Sequence, residues 1–149
     1  MFKKLLIAID GSDIAERALD AGIALAKAHE ASITVLTATD PVATGIGSGG
    51  FGTISAGSIV TQLEEAYEAE AQKLLTAAKA RIEAEGLRAE TLHLPRHRPA
   101  DAIIETAEQT GIDTIVMGSH GRRGLGRLLL GSQAADVLAR ATIPVLIIR

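Results

Sequence analysis

The feature that most restricts the fold is Leu5-Leu6-Ile7-Ala8-Ile9, an unbroken apolar run. Successive strand residues point to opposite faces, so a strand that is apolar at every position must be covered on both sides. That is the signature of a central strand in a parallel sheet. Thr114-Ile115-Val116-Met117 and Val145-Leu146-Ile147-Ile148 are two further strands. Asp10-Gly11-Ser12 breaks the first run, and Ser12 or Asp13 can cap a helix reaching about His29. Ala15, Ala18, Leu19, Gly22, Ile23 and Ala26 fall on one face of that helix. Ile33 to Ala38 reads as the second strand, giving a βαβ unit with a right-handed crossover.

The middle of the chain is different in character. Thr44 to Ser58 carries Gly45, Gly47, Gly49, Gly50, Gly52 and Gly57 and reads as a mobile surface loop that orders only with a ligand or partner. Gly45-Ile46-Gly47-Ser48-Gly49-Gly50 fits G-x-G-x-x-G, yet it begins seven residues past the strand and does not lead straight into a helix. The same loop lacks the Lys-Ser/Thr pair of a P-loop. A long helix is expected from about Ile59 to Glu85, with Leu63, Tyr67, Leu74, Ala78 and Ile82 inward and Gly86 as its stop. Its acidic residues read as a solvated face. Ala89 to Leu94 alternates like an edge-side third strand closed by Pro95. Arg96-His97-Arg98-Pro99 then precedes a helix with Pro99 in its first turn, Ile103, Ile104 and Ala107 inward, and Gly111 at its end. That cationic turn supplies no good N-cap; it reads as surface charge or as help for a phosphate or an acidic partner.

Five strands alternating with helices define an α/β three-layer sandwich with a five-stranded parallel sheet, Rossmann-like in character. The 149 residues read as a single domain, 1–149. If the winding reverses after the third strand, the order is 3-2-1-4-5. Strands one and four are then neighbours, and a switch-point crevice opens at their C-terminal ends, where Asp10 and Gly118 stand.

Composition narrows the chemistry. Aromatic residues are 2% of the chain, so no platform exists for stacking nucleic-acid bases, and a net charge of −3 argues against nucleic-acid affinity. There is no cysteine, which excludes disulfides and thiolate chemistry. His29, His93 and His97 lack a metal-site spacing. Lys3-Lys4 precedes too short an apolar run for a signal peptide, and no run reaches the ~20 residues of a membrane span. A cytoplasmic location without membrane insertion is the expectation.

The chemically suggestive stretch begins at Met117-Gly118-Ser119-His120-Gly121-Arg122-Arg123-Gly124 and ends at Gly131-Ser132-Gln133, where a helix starts. Gly118 and Gly121 can adopt φ > 0 and admit a ligand closely. Helix-opening N–H groups attract anions, and Arg122, Arg123 and Arg127 add positive charge. Together these parts describe a phosphate cradle. The same glycines could serve only a tight turn, Ser132 only an N-cap, and His120 only a hydrogen bond within the loop.

The spacing Gly-x2-Gly-x9-Gly-Ser resembles the nucleotide-binding signature of the ATP-binding branch of the universal stress protein family. The opening Lys3 to Ser12, the central Asp113 to Gly121 and the ending Ile143 to Ile148 extend the resemblance over nearly the whole chain. It implies the order 3-2-1-4-5 and an adenine nucleotide (ATP, or AMP or ADP) in the crevice, with Mg2+ as an accompanying ion on the phosphates. Ala8, Ile9 and Asp10 would border adenine and ribose, Ala38 would meet adenine through its backbone, and Met117 would pack near the ribose or base. Gly118, Gly121, Gly131, Ser132 and Gln133 would offer backbone N–H groups to the phosphates, and Ser132 a hydroxyl. No catalytic base is identifiable. The resemblance implies a homodimeric stress-response regulator or sensor, paired through Val145–Ile148 and acting on unknown protein clients. The alternative is a slow ATPase or self-phosphorylating enzyme with Ser132 or Asp10 near the γ-phosphate. The cationic turn at 96–98 departs from the family, which usually carries a small residue and then an acid there.

Overall fold

The computed structural model describes residues 1–41, 53–121 and 130–149. Its elements are β1 (Lys4–Ala8), α1 (Asp13–His29), β2 (Ser32–Thr39), α2 (Thr53–Ala84), β3 (Ala89–Pro95), α3 (Pro99–Thr110), β4 (Thr114–Gly118), α4 (Ser132–Arg140) and β5 (Val145–Ile148). The strands form one parallel sheet in the order β3-β2-β1-β4-β5. The winding therefore does reverse after the third strand. Leu6 stands opposite Thr34 on one side and Ile115 on the other.

The alternation within β1 divides the interior in two. Leu5, Ile7 and Ile9 face α1 and α2, meeting Leu19, Leu75 and Ile82. Leu6 faces α3 and α4, meeting Ile103, Met117 and Val137. Leu5, Leu6 and Ile7 have no exposed surface at all, as a strand covered on both faces requires. Helix α1 lies so close that a Cβ on Gly22 would sit 2.3 Å from Ile7 Cδ1. Glycine there is a packing requirement. At the start of the sheet, Asp113 Oδ2 accepts from the Lys3 and Lys4 amides at 2.9 and 3.2 Å, and Oδ1 accepts from Thr114 Oγ1 at 2.9 Å. One carboxylate thus joins the beginnings of β1 and β4.

Helix α2 differs from the sequence expectation. It begins at Thr53 and not near Ile59, so residues 53–58 of the expected loop are helical, and Thr61 Oγ1 donates back to the Gly57 carbonyl at 3.0 Å. The remainder of that loop, with the G-x-G-x-x-G match at 45–50, lies outside the described residues. Leu63 and Tyr67, expected inward, are each 39% exposed, and from Gly57 onward the first fully buried residue is Ala71. The reason is length. A helix of 32 residues spans about 48 Å, whereas the seven-residue strand β3 spans about 23 Å, so the first half of α2 overhangs the sheet. Among the described residues, no helix is long and apolar enough to cross a membrane.

Candidate functional site

Two chain segments meet at the C-terminal ends of β1 and β4. Beyond β1, the Ile9 amide still donates to the Leu36 carbonyl at 2.9 Å, and Gly11 turns the chain with φ 78°. Asp10 Oδ1 accepts from the Ser12 amide (3.0 Å) and hydroxyl (2.6 Å), while Ser12 Oγ accepts from the Ala15 amide at 3.3 Å. Ser12 is therefore the N-cap of α1, and its cap geometry fixes the Asp10 carboxylate. Beyond β4, the buried Ser119 donates its amide to the Ile148 carbonyl at 2.7 Å, and His120 and Gly121 follow. A Cβ on Gly121 would lie 2.5 Å from Asp10 Oδ2. The acid after the first strand and the glycine turn after the fourth are thus in contact.

The glycines prove to be close-approach positions. Gly118, Gly121 and Gly131 do not occupy the left-handed region that the sequence suggested for Gly118 and Gly121. A Cβ on Gly118 would stand 2.9 Å from Ile14 Cγ2, and one on Gly131 would stand 2.9 Å from His120 Cα. The Gly131 amide, expected among the phosphate donors, donates to the Ser119 carbonyl at 2.7 Å. Gly131 rather than Ser132 is the N-cap of α4, with no side-chain cap. Ser132 and Gln133 open the helix, so their amides have no partner within it. Ser132 is exposed. His120 Nδ1 pairs with Ser119 Oγ at 3.0 Å, a contact within the loop. Residues 122–129, which hold Arg122, Arg123 and Arg127, lie outside the described residues.

On the α3–α4 side of the sheet, Ala8 and Ala38 are half-buried above the core. Met117 belongs to that core and is 6% exposed, so packing occupies most of its side chain. Ile9 faces the other core at 4% exposure, leaving its backbone as the part bordering the crevice. The two described cavities lie elsewhere. One of about 530 Å³ opens at the N-terminal ends of the strands, beside Lys4, Ser32 and Arg88. The other, of about 210 Å³, lies between α3 and the β4–β5 end of the sheet, beside Ile104, Ile115 and Ile143.

The cationic turn has its charges matched within the chain. Arg96, at φ 57°, holds both oxygens of Glu64 at 2.8 Å, and its hydrogen bond keeps the Glu64 carboxyl below its ordinary value. His97 Nδ1 lies 2.8 Å from the Pro95 carbonyl, which only accepts, so that nitrogen carries the proton. Arg98 stands 3.9 Å from Asp136. This arrangement matches the reading as surface charge.

Two polar contacts escaped the sequence reading. His93 is almost wholly buried, with Nδ1 at 2.6 Å from Glu68 Oε2 and Nε2 at 3.1 Å from Thr39 Oγ1. It ties the overhanging half of α2 to the end of β2, one residue past Ala38. The other is Gln133, whose Oε1 accepts from the Ala100 amide at 2.9 Å. Both join residues far apart in sequence, and no local pattern announces them. Among the described residues, no group of three or more His, Cys, Asp or Glu side chains could hold a metal ion.

A parallel sheet in the order β3-β2-β1-β4-β5, with a glycine turn and an acid meeting at its switch point, places the chain among the doubly wound α/β proteins. The model of the universal stress protein family matches residues 1–149, and the chain belongs to that family. It is 35% identical to universal stress protein YxiE of Bacillus subtilis over 150 residues, covering the whole of both chains. It is 40% identical over 152 residues, again covering both chains, to a Thermus aquaticus protein called universal stress protein in QAH/OAS sulfhydrylase 3'region. Among solved structures it resembles the universal stress protein UspA from Lactobacillus plantarum, with TM-score 0.84 at 25% identity and 99% and 98% of the two chains covered. A universal stress protein in complex with cAMP matches with TM-score 0.69 at 27% identity, covering 97% of this chain and 94% of that one. The Archaeoglobus fulgidus universal stress protein in complex with dAMP matches with TM-score 0.65 at 26% identity, covering 99% and 98%.

Proposed function

We propose that this protein binds an adenine nucleotide, with ATP as its principal ligand, and acts as a homodimeric sensor whose partner contacts depend on occupancy. The observation that carries this reading is the contact between Asp10 and Gly121 at the switch point, beside the amides that open α4 and have no partner within that helix. Relatives of the same fold bind cAMP and dAMP, which supports an adenosine phosphate as the ligand class. In this reading Ala8, Ile9 and Ala38 border the base, and their small side chains or backbone leave it room. Asp10 accepts from a ribose hydroxyl or the adenine amino group, and Met117, mostly taken up by the core, offers only its small uncovered part to the edge of the ribose or base. The phosphates lie over Gly118 and Gly121 and against the Ser132 and Gln133 amides and the Ser132 hydroxyl. Gly131 serves by letting the helix end approach His120. Mg2+ would ride on the phosphates.

Mass spectrometry of the purified, denatured protein tests this directly. The expected result is a stoichiometric adenine nucleotide, or calorimetric binding of added ATP. In Gly121→Val the branched side chain displaces Asp10 and fills the approach to the phosphates, so binding should disappear while circular dichroism stays native. Unchanged ATP affinity in that folded variant refutes the site.

A further inference from the structure

Helix α3 has a defect at its start. Its N-cap is Arg98, in extended conformation, and makes no side-chain cap hydrogen bond. Pro99 follows as N1 and has no amide, so the first orphan donor is the N2 amide of Ala100. Ala100 is completely buried, and water does not reach it. An N-cap side chain normally accepts from that amide or the next. Here the acceptor is Gln133 Oε1, 2.9 Å away and 33 residues downstream.

Gln133 is also the second residue of α4, the helix whose opening amides face the proposed phosphate position. One residue therefore has its side chain committed to α3 and its backbone committed to the ligand side. The other polar cross-links between these helices among the described residues are charge pairs, Arg98 with Asp136 at 3.9 Å and Arg140 with Asp101 at 2.6 Å, while Arg140 also meets Asp136 of its own helix at 3.4 Å. Their guanidinium and carboxylate groups are all substantially exposed, so salt and water weaken them. The Gln133–Ala100 bond is the shielded one.

We propose that Gln133 is a positioning residue: it caps α3 in place of Arg98 and thereby sets where the first turn of α4 presents its amides. The inference rests on the nucleotide reading of the site, and it adds the element that holds the phosphate-binding helix end in register.

Four proteins test it: wild type, Gln133→Leu, Arg98→Ser and the double variant. Serine at 98 can cap α3 locally, since the backbone there is already extended, but it cannot tie α3 to α4. Gln133→Leu should free the Ala100 amide to exchange in NMR, lower Tm by about 3–8 °C, and weaken calorimetric AMP and ATP binding roughly 3- to 30-fold. The double variant should recover Tm and Ala100 protection while affinity stays low. Unchanged Tm and exchange in Gln133→Leu would show that Gln133 is not the cap. Affinity that never falls, or that returns with Tm in the double variant, would show that its role is only structural. Wild-type protein that binds neither nucleotide removes the nucleotide reading and the positioning role together, while the exchange of Ala100 still reports the cap.

Discussion

Asp113 shows how much one side chain can settle. Burial alone would raise its carboxyl, but the Lys3 amide, the Thr114 hydroxyl and the Lys4 amide outweigh burial and hold it below its ordinary value. A carboxyl with a folded value below its unfolded one stabilises the fold above the unfolded value, about 4, and loses that contribution as pH falls through the folded value. Asp113→Asn should therefore flatten the acid limb of stability against pH and lower Tm at pH 7 by about 2–4 °C, the equivalent of about 1 kcal/mol. Thermal melts from pH 7 to pH 3 measure both; an acid limb as steep as wild type would place the responsible group elsewhere. The glycines teach a related lesson. From sequence, Gly118 and Gly131 could be read only as permissive backbone, whereas each is required because a neighbour, Ile14 or the His120 backbone, occupies the place of its Cβ. Such a demand arises between segments distant in the chain, so no local spacing distinguishes it from a ligand's demand.

At the scale of elements, the sequence was legible where local chemistry and burial agree. Ser12 caps α1, Gly111 ends α3 in the left-handed region, and the apolar runs are strands. It was misleading at the start of α2, where glycine and serine suggested a loop but residues 53–58 are helical. Gly57 lies in open space within that helix. Gly57→Ala should thus stabilise by about 0.5–1 kcal/mol, because alanine loses less backbone freedom on folding. A rise in Tm of about 2–4 °C is expected; no rise would argue that 53–58 is not helical in solution. The inward face of α2 was only half legible. The pattern Leu63, Tyr67, Leu74 has helical period, but a period does not say where the sheet beneath the helix ends. The same limit hid His93 and Gln133, whose partners Glu68, Thr39 and Ala100 are set by the packing of whole elements.

For the whole molecule, the order of strands leaves β5 at an edge, and its apolar character poses the question of what covers it. The Ile115 amide donates to the Pro144 carbonyl and the Ser119 amide to the Ile148 carbonyl, so the even-numbered residues of this strand turn their polar groups toward β4. Val145 and Ile147 must then turn theirs outward. With Leu146 39% exposed and no charge or proline within Val145–Ile148, the edge is a template for another strand. Two copies about a two-fold axis would pair there antiparallel and close the assembly. Proline at 148 would disturb the inward ladder to β4, so a sharper test removes an outward donor. Ile147→Pro with Leu146→Lys deletes one inter-subunit hydrogen bond per copy and places like charges across the axis. Light scattering at micromolar concentration should report a dimer for the wild type and a monomer for the double variant, with the dissociation constant raised at least about 100-fold, or about 2.7 kcal/mol. Circular dichroism should stay native, because β4 retains its ladder to β5. A wild-type monomer would refute the pairing, and a dimer that survives both substitutions would place the interface on another face.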